Sequence, residues 1–275
     1  MTKILSLLTA AGVGLAWLGL CGQAHSALIN HWKFDEAGGA TTAADSAGGL
    51  DLALQGDAQF VSDATRGGQV LELNTSKNDY ASTTSGVPFA SDTTHTVGVW
   101  VNYASSGQRY QGLMSWGASG ARYFFGTGGG YNAGRMWTGI GSNTISFTES
   151  DANPLQNTWQ YWTVVRDGTA ASLYLDGELV QTVTGASGGS INTSEELRIG
   201  RYYGDFPETS GGKLMDDLAI WDEALEGWQI KSARSLGAEN FNIVPEPSSA
   251  AFFTAVLGLL AVLRLRRPRA FRNRS

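Results

Sequence analysis

Between Leu28 and Trp221 the chain is a series of short β-forming runs, each cut by glycine, and this punctuation restricts the fold more than any other feature of the sequence. The 36 glycines and 29 aromatic residues (9 Trp, 9 Tyr, 11 Phe) stand beside only 16% charged residues, a balance that suits strands and tight turns rather than surface helices. There is no heptad pattern and no internal repeat, and helical periodicity is confined to the region Leu225–Leu236. The run from Thr96 to Tyr103 places Val97, Val99, Val101 and Tyr103 on one face and Trp100 on the other. Both faces are partly apolar, as in the central strand of a sandwich. From Leu173 to Val180 two strands flank Asp176-Gly177, the pair that accepts the positive φ angles of a type I′ turn, so a hairpin is expected there. Many short strands at this spacing predict an all-β sandwich, one large domain for most of the 275 residues.

The two ends read as addresses. Met1-Thr2-Lys3, an apolar run from Ile4 to Leu20, and the small residues Ala24, Ser26 and Ala27 predict a secretory signal peptide over 1–27. A lipoprotein signal at Cys21 is the competing reading, with bulky Leu20 where such motifs want Gly or Ala. At the other end Val244-Pro245-Glu246-Pro247-Ser248 precedes an apolar stretch, about 248–265, and a tail carrying Arg264, Arg266, Arg267, Arg269, Arg272 and Arg274. Segment 244–275 resembles the PEP-CTERM sorting signal of Gram-negative bacteria. That resemblance implies an exosortase-type processing enzyme, cleavage near Pro245–Pro247, and a transient membrane helix. The alternative is a permanent inner-membrane anchor, although the apolar stretch is short for spanning. Either way the arginines orient the main domain outside the cytoplasm, at the cell surface or beyond it.

Charge and cysteine usage exclude several classes. The formal charge of −6 hides an asymmetry: without residues 1–27 and 245–275, 12 Lys+Arg face 24 Asp+Glu, leaving a domain near −12. Such a body is expected to repel DNA, RNA and anionic lipid, so no nucleic-acid partner is expected. Cys21, the single cysteine, falls inside the signal segment, which removes disulfides, thiolate catalysis and Cys-ligated zinc from consideration.

Several segments together resemble the laminin-G-like, concanavalin A-like jelly rolls. They are His31–Glu36, Asp45-Ser46-Ala47-Gly48, Thr96–Val101, Trp159–Gly168, Leu173–Val180, Leu197–Gly200, and Met215–Trp221 running on to Leu225. The order and spacing agree over about 200 residues, so domain 28–243 is expected to be a two-sheet antiparallel jelly-roll sandwich. The resemblance implies one concave sheet and adjacent first and last strands. It also implies a calcium site at the terminal strands, and the matching acids are Asp35, Asp45 and Asp216, with Asp217 as the alternative to Asp216. Ca²⁺, which takes six to eight oxygen ligands, suits an exported domain.

Catalytic chemistry is poorly supplied. Glycoside hydrolysis needs two carboxyls facing each other across the scissile bond, and Glu149-Ser150-Asp151-Ala152-Asn153-Pro154 lacks the third acid of the relatives' strand motif, while Pro154 indicates a loop. Glu195 and Glu196 are adjacent and point to opposite faces of a strand. His31 and His95 read as ordinary strand residues, and Gly126–Tyr131 reads as a surface loop without the lysine and helix of a phosphate loop. No enzyme is expected. Sugar binding, by contrast, uses exposed aromatic rings with polar neighbours, and Tyr110, Trp116, Tyr123, Tyr131 and Trp137 lie in the glycine-rich middle, interleaved with Arg109, Arg122 and Asn132. Core packing is the competing role for each ring. The expected function is a secreted, non-catalytic surface or matrix protein that engages extracellular polysaccharide. The alternatives are a structural or adhesion protein without a glycan ligand, and a divergent glycoside hydrolase or polysaccharide lyase.

Overall fold

The computed structural model describes residues 28–74, 78–83, 94–104, 110–118, 121–128, 134–141, 143–185, 188–189, 196–202 and 212–242. The signal segment, the sorting segment with its apolar stretch, and Tyr131 lie outside the described residues. Among the described residues no helix is long and apolar enough to cross a membrane.

Among the described residues sixteen strands are formed: β1 (Leu28–Trp32), β2 (Thr42–Ala43), β3 (Leu52–Gln55), β4 (Gln59–Asp63), β5 (Gly68–Leu73), β6 (Tyr80–Ser82), β7 (Thr94–Tyr103), β8 (Gly112–Ala118), β9 (Ala121–Thr127), β10 (Met136–Ile140), β11 (Asn143–Ser146), β12 (Gln160–Asp167), β13 (Ala170–Leu175), β14 (Glu178–Val183), β15 (Leu197–Ile199) and β16 (Lys213–Trp221), followed by helix α1 (Gly227–Leu236). They make two antiparallel sheets. The first runs β14-β13-β12-β7-β16-β5-β4 with β1 also on β16; the second runs β11-β10-β9-β8-β15-β6-β3-β2. The all-β two-sheet expectation holds, and the first and last strands are adjacent, Trp32 opposite Leu218.

Pleat alternation sorts the side chains. Val97, Val99, Val101 and Tyr103 of β7, Trp162 and Val164 of β12, and Met215 of β16 meet Met114, Trp116, Tyr123, Phe125 and Met136 of the second sheet in one buried core. The opposite side of β7 carries Trp100, as its sequence requires. Asp176 (φ 53°) and Gly177 (φ 86°) turn the β13–β14 hairpin in the left-handed region. Gly98 is needed for a different reason: a Cβ there would collide with the Tyr161 hydroxyl, whose ring crosses β7 on the outside.

The outer side of the first sheet is partly roofed by the segment from Leu225 to Phe241. Glu226 opens α1, its backbone N–H donating to Gln229 Oε1 at 2.8 Å. Ile230 and Ala233 of the helix, with Leu225, Ala238 and Phe241, bury Tyr161, Val165, Ala219 and Trp221 in a second apolar cluster. Gly237, at φ 92°, ends the helix.

Candidate functional site

The outer side of the second sheet has no such roof among the described residues. Its strands alternate as a half-buried sheet should: Tyr123 and Phe125 of β9 point inward, so Arg122 and Phe124 point outward, and on β10 Met136 and Ile140 face the core while Trp137 faces out. Phe124, Tyr202, Tyr110 and Trp137 form one aromatic cluster on this face. Phe124 and Trp137 lie 4.9 Å apart between centroids, Tyr110 and Trp137 5.9 Å, and Tyr110 and Tyr202 6.1 Å. These tilted and edge-on pairings are the favourable ones for aromatic quadrupoles.

Small residues make room for the rings. Phe124 sits across Gly139, its partner on β10, where a Cβ would come within 2.4 Å of the ring. The Trp137 ring lies against Gly128, 3.0 Å from where a Cβ would be. Past β15 the chain turns at Gly200 and crosses over Gly112, and Ser115 Oγ donates to the Arg201 carbonyl at 2.7 Å. That crossing lays Tyr202 into the cluster. The Tyr202 hydroxyl accepts from Trp137 Nε1 and donates to the Thr127 carbonyl at 2.6 Å. Phe124 and Tyr202 are buried, whereas Tyr110 and Trp137 are partly exposed, so the outer rings rest on a fixed inner pair.

The five aromatic residues expected to contact ligand therefore divide. Tyr110 and Trp137 share the outer face of the second sheet. Trp116 and Tyr123 do not: both are fully buried, stacked at 4.4 Å with 20° between planes, and belong to the core between the sheets. The strand phase sends them inward, and burial pushes the Tyr123 phenol pKa upward. Tyr131 lies outside the described residues. Sequence reasoning missed Phe124 and Tyr202, and Tyr202 is 65 residues from the ring it supports.

Three arginines of the described residues stand on this face. Arg122 lies 5.6 Å from the Phe124 ring and Arg201 4.8 Å from the Tyr80 ring, while Arg198, opposite Ser82 and Ser115, pairs with Glu196 at 2.9 Å. Asp45, Asp216 and Asp217 lie near the terminal strands.

There the expected calcium ligands take separate roles. Asp45 is buried and accepts from five nitrogens: the N–H groups of His31, Ala47 and Gly48 on Oδ1, and Leu50 N–H and Asn30 Nδ2 on Oδ2, at 2.5 to 3.0 Å. Burial opposes its ionisation, but the donors of Gly48, His31, Leu50 and Asn30 together outweigh it and hold the pKa below the ordinary value. These donors fill the roughly four lone-pair sites of a carboxylate, so Asp45 has no oxygen to offer a cation. Asp216 and Asp217 share Arg66, at 2.6 and 3.0 Å. A β-bulge lets both adjacent acids reach one guanidinium: β16 slips register against β7 between Asp216 and Ala219, with Asp217 at φ 47°. Burial, with Asp217 and Asp35 nearby, pushes the Asp216 pKa up to about 7 against the opposing effect of Arg66. Asp35 is exposed and lines a shallow cleft with Ser62, Asp63 and Gln69. Among the described residues no group of three or more His, Cys, Asp or Glu converges as a metal centre. In this arrangement the three expected ligands do not fit a common calcium ion.

His31 bridges Asp217, 3.1 Å from Nε2, and Ser46, 3.2 Å from Nδ1, which ties the first strand to the bulge of the last. Glu149 and Asp151 sit on an exposed 3₁₀ turn, as the nearby proline suggested, and not on a strand. A cleft of about 330 Å³ at the first sheet is lined by Asn74, Asn102, Asn157, Lys213 and Glu72; it has no aromatic ring on which a sugar could stack.

Two sheets packed face to face, with one outer side built from anchored aromatic rings, define a jelly-roll module of the concanavalin A type. The chain belongs to the concanavalin A-like lectin/glucanases superfamily, whose Laminin_G_3 model matches residues 74–231. No curated protein matches the chain in sequence. Domain 4 of AbnA, a GH43 extracellular arabinanase from Geobacillus stearothermophilus solved in complex with arabinotriose, superimposes with a TM-score of 0.57 at 17% identity, over 75% of this chain and 97% of that domain. The binding domain of Paraclostridial Mosquitocidal Protein 1 superimposes with a TM-score of 0.58 at 14% identity, over 76% and 52% of the two chains. The receptor binding domain of botulinum neurotoxin type G gives 0.53 at 17% identity, over 77% and 51%. The chain thus spans about half the length of the two toxin domains. At these identities the likeness is one of fold.

Proposed function

We propose that this protein is an exported, non-catalytic module that binds extracellular polysaccharide on the outer face of its second sheet. The observation that carries the reading is the pair Tyr110 and Trp137, partly exposed and held over buried Phe124 and Tyr202. A ring locked by packing stacks on the CH face of a pyranose with little loss of side-chain freedom, which is how anchored aromatics contribute to affinity. The arabinotriose complex of the AbnA domain and the binding domains of the toxins are consistent with this use of the fold. The sequence has no Asp or Glu from Ala104 to Thr148, which supports binding without cleavage. On the same reading 1–27 is the export signal, and 244–275 is the sorting segment removed at the cell envelope.

A glycan-array screen of the wild-type protein and Trp137→Ala tests this. Binding that the substitution abolishes, with no reducing sugar or unsaturated product released from the bound polymer, is the expected result. Binding indifferent to Trp137 and Tyr110 rejects the site, product release rejects the non-catalytic reading, and no binding at all favours a structural role in a surface matrix.

A further inference from the structure

Among the described residues, the outer face of the second sheet carries arginines that the domain's net charge conceals. Arg122 on β9 and Arg198 on β15 stand on the strands that flank β8, whose outward residues between them are Ser115 and Gly117. Neighbouring strands lie about 4.8 Å apart and the two positions are offset by two residues along them, so they are separated by roughly 12 Å across a floor of small residues. Arg201 continues the line beside Tyr202, its guanidinium over Tyr80. Packing on Phe124 and on Tyr80 positions two of the three guanidinium groups on the face. All three arginines are partly buried, and Arg198 pairs with Glu196.

We propose that the polysaccharide bound here is acidic, carrying carboxylate or sulfate groups that meet Arg122, Arg198 and Arg201 while its sugar faces stack on Tyr110 and Trp137. This rests on the reading of the face as a glycan platform and adds the class of glycan. Guanidinium presents a planar fork of donors matched to such oxyanions. The domain's excess of about twelve negative charges does not prevent it. Charges more than a Debye length away, about 8 Å at physiological ionic strength, are largely screened, so carboxylates beyond that distance oppose contacts at the arginines only weakly.

Paired polymers with a common backbone test the proposal in the full chain: polygalacturonate against its methyl ester for carboxylate, and dextran sulfate against dextran for sulfate. The six tail arginines from Arg264 to Arg274 are replaced by Gln in every arm, so that the tail cannot bind the polyanions itself. The expected result is that at least one charged polymer binds about tenfold or more tightly than its neutral partner, the difference that about one charge-assisted contact supplies. Arg122→Gln, Arg198→Gln and Arg201→Gln together remove that difference, and Trp137→Ala removes binding of both members. Equal or tighter binding of the neutral polymers, still dependent on Trp137, overturns the acidic class and leaves the platform standing. A charge preference that survives the three Gln substitutions overturns the assignment to this face, and failure of all four polymers to bind counts against the platform as well. The comparison of charged with neutral polymer uses unsubstituted arginines on the face, so it holds even where the triple variant folds poorly.

Discussion

Trp116 and Trp137 lie in the same glycine-rich stretch and differ in the side of the pleat they occupy. Trp116 is enclosed between the sheets against Tyr123, and Trp116→Ala is expected to cost about 3–5 kcal/mol in a denaturant titration. Trp137 is partly exposed, and its removal loses ring contact with Phe124 and one hydrogen bond to Tyr202. About 1–2 kcal/mol is expected for Trp137→Ala, with glycan binding lost. Equal destabilisation by the two changes would place Trp137 in the core. Two titratable residues set the response to pH. Burial, helped by the charge of Arg166, pushes the His95 pKa down to about 3, so the stability His95 contributes is complete above its unfolded value near 6.5 and is lost as pH falls towards 3. Asp216, raised to about 7, acts with the opposite sign: its contribution is complete below 3.8 and is lost as pH rises through 7. Thermal melts from pH 4 to 7.5 are therefore expected to show a weaker acid-side loss in His95→Gln and a weaker neutral-side loss in Asp216→Asn. Profiles parallel to wild type would contradict both assignments.

At the scale of elements, the bulge in β16 and the loop after β1 organise the terminal strands. Before the bulge β16 pairs with β5, Met215 opposite Leu71; after it, with β1, Leu218 opposite Trp32. The bulge thus marks a change of neighbour, and Arg66 from the β4–β5 turn closes it through Asp216 and Asp217. The loop is gathered on Asp45, and Asp45→Ala would strand several backbone N–H groups. About 2–4 kcal/mol is expected, equivalent to a fall in Tm of roughly 4–16 °C for a domain of this size; a change below about 1 °C would show that water replaces the carboxylate without loss. Regular elements were legible from sequence wherever alternation or turn chemistry acts locally, as in β7 and at Asp176-Gly177. The side of the pleat in the glycine-rich middle was not, because register slips between Gly112 and Met114 against β9, and alternation in one strand does not report such a slip. For the same reason Asp216 and Asp217 read as alternatives, whereas the bulge brings both to Arg66.

At the scale of the whole molecule, the two outer faces have different fates. Helix α1 and the residues after it close part of the first sheet, burying Ile230, Ala233 and Phe241, and nothing among the described residues does the same over Tyr110 and Trp137. The sandwich and its superfamily were legible because each motif is a local strand or turn signal and the motifs follow one another along the chain as in the resembling jelly rolls. The binding face was legible only in part, because Phe124 and Tyr202 come from segments that meet only in the folded sheet. The net charge, an average over the domain, gave no sign that Arg122, Arg198 and Arg201 gather on one side. The most direct test of the central claim is a titration of one glycan selected from the array into wild-type protein, Tyr110→Ala, Trp137→Ala and, as a control on the opposite sheet, Trp228→Ala, whose ring is exposed on α1. The two changes on the second sheet are expected to weaken binding at least tenfold while Trp228→Ala leaves it unchanged; wild-type affinity in both Tyr110→Ala and Trp137→Ala would contradict the account.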